Sequence, residues 1–129
     1  MIPVDSSVWI DYFNGAETPA TQKLDKLLGV QPVCTGDLIL AEVLQGFRQD
    51  LDYQAAKTLL SSLPVHAMLG ATMALKSAEN FRKLRQQGIT VRKTIDTMIA
   101  TYCIEHGLPL LHSDKDFQPF QQFMGLQVV

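Results

Sequence analysis

The chain has 129 residues, 47% of them hydrophobic and 19% charged, with eight glycines and six prolines. That suits one globular domain with a core of its own, and excludes disorder and collagen-like composition. Eleven basic residues face 13 acidic ones for a formal net charge of −2, which excludes binding nucleic acid by overall charge and leaves only a local patch for such contact.

The longest unbroken apolar run, Leu38 to Ala41, has four residues, against about 20 for a bilayer span and roughly 7 to 15 for a secretory core. Cys34 and Cys103, the only cysteines, lie 69 positions apart without a CxxC spacing, which suits a reducing, cytoplasmic setting better than a disulfide scaffold.

Short apolar runs alternate with longer segments of helical period, the pattern of parallel βαβ units, so the fold class is α/β over a single domain, 1–129. Ile2 to Val4 read as a first strand, with Pro3 tolerable near its start. Ser6 or Ser7 then caps a helix to about Phe13 that Asn14-Gly15 stops. Thr18-Pro19 supplies a cap and a first-turn proline for a second helix carrying Leu24, Leu27 and Leu28. Val33 to Thr35 form the second strand, and Thr35-Gly36-Asp37 leads into a third helix through Phe47. Asp50 to Ser62 form a fourth helix, and Leu63 to Leu69 are a third strand or only a connection. A long helix from Ala71 to about Gln87 ends at Gly88. Thr94 caps the next, whose apolar positions Ile95, Met98, Ile99, Tyr102 and Cys103 keep helical spacing to Gly107. A strand at Leu108 to Leu111, a short helix near Asp116 to Phe123 and a strand at Leu126 to Val129 complete the chain.

Four acids stand out against this frame. Asp5 directly follows the first strand and Asp114 a late one, and ligands of open α/β sheets bind outside the carboxyl ends of strands. Glu42 sits in an apolar helix whose positions three and four residues away, Leu38, Ile39, Gln45 and Gly46, offer no cation. Asp96 lies in a first helical turn. Each has an ordinary explanation by itself: Glu42 as a solvated residue, Asp96 as a favourable helix-dipole partner, Asp5 and Asp114 as turn or capping residues. Converging, however, they would repel one another and resist ionisation unless a cation neutralised them. An all-oxygen donor set favours Mg²⁺ or Mn²⁺, and such ions assist phosphodiester hydrolysis. Arg82, Lys83, Arg85, Arg92 and Lys93 place five of the 11 basic residues in a 12-residue stretch just before Asp96. That stretch is a candidate RNA-binding track beside an acidic centre, or simply a solvated helix end.

The segments Val4-Asp5-Ser6-Ser7-Val8-Trp9-Ile10, Leu40-Ala41-Glu42-Val43-Leu44-Gln45-Gly46, Ile95-Asp96-Thr97-Met98-Ile99-Ala100 and Leu110-Leu111-His112-Ser113-Asp114-Lys115-Asp116-Phe117 together resemble the PIN domain of VapC-type toxins, along essentially the whole chain. The resemblance implies a three-layer α/β/α domain with a central parallel sheet. It also implies an Mg²⁺- or Mn²⁺-dependent endoribonuclease acting on structured RNA such as tRNA or rRNA, a cognate VapB-like antitoxin and a homodimer. Residue by residue it marks Asp5, Glu42, Asp96 and Asp114 as catalytic and metal-binding, with Asp116 a further candidate ligand and Ser7 a support for Asp5. Pro3 departs from the purely apolar first strand of the family.

The competing readings are weaker. A haloacid-dehalogenase-like phosphatase would need an aspartate where Ser7 stands. A metal-free ribonuclease needs two placed imidazoles, for which His66, His106 and His112 are the only candidates. Cys103 and His106 lack two further zinc ligands. Trp9, Tyr12 and Phe13 are core residues more readily than base-stacking ones. A catalytically silent PIN-like module that binds RNA or protein is the rival of a different class, and a purely structural dimerisation domain is a third.

Overall fold

A computed structural model describes residues 1–129. Three short parallel strands, β1 (Ile2–Pro3), β2 (Val33–Gly36) and β3 (Val65–His66), are ordered β1-β2-β3, with Ile2 opposite Val33 and Thr35 opposite Val65. Beyond β1 the sheet continues only as single parallel bridges, Val4 with Leu111 and Leu110 with Val128. The strands expected at 108–111 and 126–129 are therefore reduced to these contacts, and the segment 63–69 to two strand residues. Their backbone pairing is real but brief: the Asp5 amide donates to the Leu111 carbonyl at 2.9 Å, and the Leu111 amide to the Pro3 carbonyl at 3.0 Å. Pro3 thus keeps its acceptor in the ladder, and the amide it lacks leaves the strand in place.

Seven α-helices surround the sheet: α1 (Ser6–Phe13), α2 (Pro19–Leu27), α3 (Asp37–Gln45), α4 (Asp50–Ser61), α5 (Ala71–Gln86), α6 (Thr94–His106) and α7 (Gln118–Met124), the last preceded by a 3₁₀ turn, Lys115–Phe117. Thr18 caps α2 as expected, in a reciprocal arrangement with Thr21, and Pro19 occupies the first turn. Gly107 closes α6 with φ +63°, a left-handed conformation that an L side chain resists.

Two caps differ from expectation. The first helix is capped by Asp5 rather than Ser6 or Ser7, its side chain accepting from the Ser7 amide. A carboxylate one residue earlier has the reach to meet that free N–H. Thr94 is already helical, and Lys93 occupies the N-cap of α6 with no side-chain cap hydrogen bond.

The core gathers Trp9, Leu24, Ile39, Leu60, Leu84, Ile99, Leu110, Leu111, Phe117 and Phe120, all fully buried or nearly so. Trp9 stacks on Phe13 with ring centroids 5.8 Å apart, and Phe13 meets Phe47 edge-on; the first-helix aromatics are packing residues, with Tyr12 and Phe13 half-buried. Helix α6 is enclosed on more sides than its apolar spacing suggests, because Asp96, Thr97 and Thr101 are buried together with Ile99, Ala100, Tyr102 and Cys103. That enclosure removes water from Asp96.

Candidate active site

Chain direction in the parallel sheet brings the acidic segments to one place. Asp5 sits where β1 passes into α1, and it is 2% exposed. Its Oδ2 accepts from the Ser7 amide at 3.0 Å and the Ser7 hydroxyl at 2.6 Å, while Oδ1 is buried with no hydrogen-bond partner. Glu42 projects from α3, half-buried, and its Oε1 accepts from the Ser6 hydroxyl at 2.8 Å. Asp96 is 1% exposed, and its Oδ2 likewise lacks a hydrogen-bond partner. Ligand oxygens of Asp5, Glu42 and Asp96 all lie within 4.8 Å of one another, and those of Asp96, Asp114 and Asp116 form a second such group.

Asp114 caps the 3₁₀ turn, its Oδ1 accepting from the Asp116 amide at 2.9 Å. The capping explanation and the cluster explanation therefore hold together for this residue, as they do for Asp5. His112 orders the same loop: its Nδ1 accepts from the Asp114 amide at 3.2 Å, so Nε2 carries the proton and donates to Gln121 Oε1 at 3.0 Å. Ser7 ties the two ends of the site, since its hydroxyl also accepts from the Ser113 amide at 3.4 Å.

The electrostatics follow from burial. Desolvation raises the Asp5 carboxyl above its ordinary range despite the Ser7 hydrogen bonds. It raises Glu42 despite Ser6, with the neighbouring Asp5 and Asp114 charges adding to the effect. Asp96 is pushed up to about 7, by burial first and by Asp5, Asp114 and Glu42 in addition, against the attraction of Lys93. Asp114 goes the other way: burial raises it, but the Asp116 amide, Lys93 and Arg92 together hold it below its ordinary value. Three carboxylates that resist ionisation, with two buried oxygens that accept no hydrogen bond, make a site short of positive charge. An oxygen-binding divalent cation would supply it, so these residues fit such an ion.

The basic stretch divides. Lys93 Nζ approaches Asp114 Oδ2 at 3.4 Å and Asp96 Oδ2 at 3.7 Å, and Arg92 Nη2 contacts both Asp116 oxygens at 3.2 Å. Arg82, Lys83 and Arg85 lie exposed on α5 and pair with none of these carboxylates. Arg85 instead sits 5.8 Å from the Phe81 ring centroid.

The rival constellations come apart. His66 and His106 both engage Tyr102, through a 2.7 Å contact with its hydroxyl and through the carbonyl at 2.9 Å respectively, so only His112 adjoins the acids. Cys103 is a core thiol, 1% exposed, pushed up to about 12 by burial above all. Sequence reasoning passed over Ser6 as a partner of Glu42 and treated Lys93 only as a phosphate contact. The signal available for Ser6 was its place beside Asp5 in the first turn of α1.

The PIN domain family matches residues 2–121. Ribonuclease VapC11 of Mycobacterium tuberculosis is 30% identical over 129 residues, covering 98% of this chain and 96% of the relative. Among solved structures, VapBC2 from Rickettsia felis, bound to a DNA fragment from their promoter, superposes with a TM-score of 0.78 at 19% identity, covering 100% of this chain and 98% of the other. VapC20 of M. tuberculosis, a sarcin–ricin loop cleaving toxin, superposes with a TM-score of 0.67 at 18% identity, covering 92% and 94%. At these identities the two structures establish a common α/β fold. By its match to residues 2–121 and its likeness to a ribonuclease along almost its entire length, the chain belongs to the PIN-domain family of VapC ribonucleases.

Proposed function

We propose that the protein is an Mg²⁺- or Mn²⁺-dependent endoribonuclease that hydrolyses RNA phosphodiester bonds, the toxin of a toxin–antitoxin pair. The observation that carries the metal dependence is the group of Asp5, Glu42 and Asp96, whose ligand atoms lie within 4.8 Å while Asp5 Oδ1 is buried without a partner and the buried Asp96 Oδ2 has only the Lys93 ammonium, at 3.7 Å. These three residues, with Asp114 at the rim, would hold the divalent ion. When bound, that ion supplies Lewis-acid stabilisation of phosphate charge and a water of lowered pKa.

The chain's own residues do the rest. Ser7 aligns Asp5, Ser6 aligns Glu42, and the first turn of α6 presents Asp96, so the acceptors are set before substrate arrives. Lys93 and Arg92 offset the acidic charge that would otherwise repel an RNA backbone. Arg82, Lys83 and Arg85 extend positive charge along α5 toward the flanking RNA. A VapB-like antitoxin would restrain the enzyme by covering this acidic face with basic side chains, and the active protein is a homodimer.

The test is cleavage of a small-RNA mixture, tRNA and rRNA fragments included, by antitoxin-free protein in Mg²⁺ or Mn²⁺, against chelator and Asp96→Asn controls of matched folding. Discrete metal-dependent products with 5′-phosphate and 3′-hydroxyl ends, absent with the variant, are expected. A 2′,3′-cyclic phosphate would mean attack by the RNA's own 2′-hydroxyl and would overturn the hydrolytic reading. RNA binding without cleavage would instead identify a silent binding module.

A further inference from the structure

The two carboxylate groups that share Asp96 are treated differently by the chain. In the first, Asp5 and Glu42 receive hydrogen bonds only from hydroxyls and a backbone amide, and Asp5 Oδ1 accepts none. In the second, positive charge is already in place: the Lys93 ammonium reaches Asp114 Oδ2 at 3.4 Å and Asp96 Oδ2 at 3.7 Å, and the Arg92 guanidinium reaches both Asp116 oxygens at 3.2 Å. Lys93 is the N-cap residue of α6, the helix whose first turn carries Asp96. The turn that presents the shared acid therefore also carries the lysine.

We propose that Lys93, assisted by Arg92, occupies the place of a second divalent ion, so that the centre takes one ion, on Asp5, Glu42 and Asp96, and excludes another from Asp96, Asp114 and Asp116. This rests on the metal-binding reading above and deepens it. Charge supports it. The five carboxylates exceed the two cationic side chains by three, and one divalent ion leaves a single negative charge. A second ion would make the centre net positive, and it would have to share Asp96 and Asp114 with an ammonium already in contact with both. An ammonium can attract a phosphate oxygen but does not acidify water as a divalent ion does. The two positions are thus unequal in chemistry: water activation belongs to the first, and Lys93 supplies charge at the second.

The experiment counts Mn²⁺ bound per full-length chain, by electron paramagnetic resonance of the free ion, for the wild type, Lys93→Met and Lys93→Arg, with circular dichroism confirming the fold. One tight ion is expected in the wild type and in Lys93→Arg. Lys93→Met is expected to take up a second ion at least tenfold more tightly than the wild type does. Two ions of similar affinity in the wild type overturn the proposal without recourse to any variant, as does a folded Lys93→Met whose second-ion affinity is unchanged. No bound Mn²⁺ in a folded wild type would overturn the metal-binding reading itself, a result distinguishable from the other two.

Discussion

Replacing Asp96 by asparagine should abolish cleavage and yet stabilise the metal-free protein. In the folded chain the Asp96 carboxyl is raised from an ordinary 3.8 to about 7. Between those values the folded state holds a proton that the unfolded state has released, so the stability of the metal-free protein falls as pH rises through this window. At about 1.36 kcal/mol per pH unit, the cost of keeping Asp96 ionised at pH 8 is on the order of 4 kcal/mol. Asparagine carries no such cost.

The value of about 7 already includes the attraction of Lys93, a half-exposed partner at 3.7 Å, so its loss in the variant belongs to the same balance. The expected gain for Asp96→Asn at pH 8 in chelator is therefore on the order of 4 kcal/mol, shrinking toward zero near pH 4. The assay is urea unfolding across this pH range with and without Mn²⁺. Metal at about a thousand times its dissociation constant should add about 4 kcal/mol to the wild type and little to the variant, bringing the two together. A variant equal to or less stable than the wild type at pH 8 in chelator, or a difference that persists unchanged at pH 4, would refute the claim that Asp96 is held as a strained, desolvated acid.

Three further substitutions separate positioning from packing. Ser6→Ala removes the 2.8 Å hydrogen bond to Glu42 and should weaken Mn²⁺ binding about tenfold at pH 6.5 and less at pH 8, because the metal then competes with a more readily protonated Glu42; calorimetric titration at both values checks it. Ser7→Ala deletes the 2.6 Å bond to Asp5 and the tie to Ser113 while sparing the Ser7 amide, and should lower kcat by about 10- to 100-fold with the melting temperature little changed. Trp9→Ala should cost about 3 to 5 kcal/mol in unfolding free energy, since the indole is fully buried against Phe13; unchanged stability with weakened RNA binding would instead assign it to base stacking.

Much of the site was legible because its signals are local. A carboxylate immediately after an apolar strand, another in the first turn of a helix, and Glu42 without a helical cation are patterns within a few residues of chain. So are the Thr18-Pro19 start of α2 and the Gly107 stop of α6, which appear where expected. The cap of α1 stayed open between Asp5 and the two serines because serine and aspartate compete for the same amide, and only the chain's exit from β1 settles which side chain turns inward. The late strands shrank to single bridges for a related reason: apolar content predicts burial, whereas a ladder also requires a neighbouring backbone in register.

By itself the sequence determined the α/β class, the order of the helices and the buried aromatics of α1, since residue type and short-range period carry that information; it marked the acids that cluster only through the likeness of four short segments to a known family. Tertiary structure alone decided which carboxylates pair with which donors. Ser6 meets Glu42 across 36 positions, Lys93 meets Asp114 across 21, and Ser7 meets Ser113 across 106. Such pairings depend on side-chain direction after the sheet and α6 have packed, and on the water this packing expels. Nothing local in the chain records either quantity, which is why Asp96 reads as an ordinary helix-start acid until the enclosure of α6 leaves it without solvent.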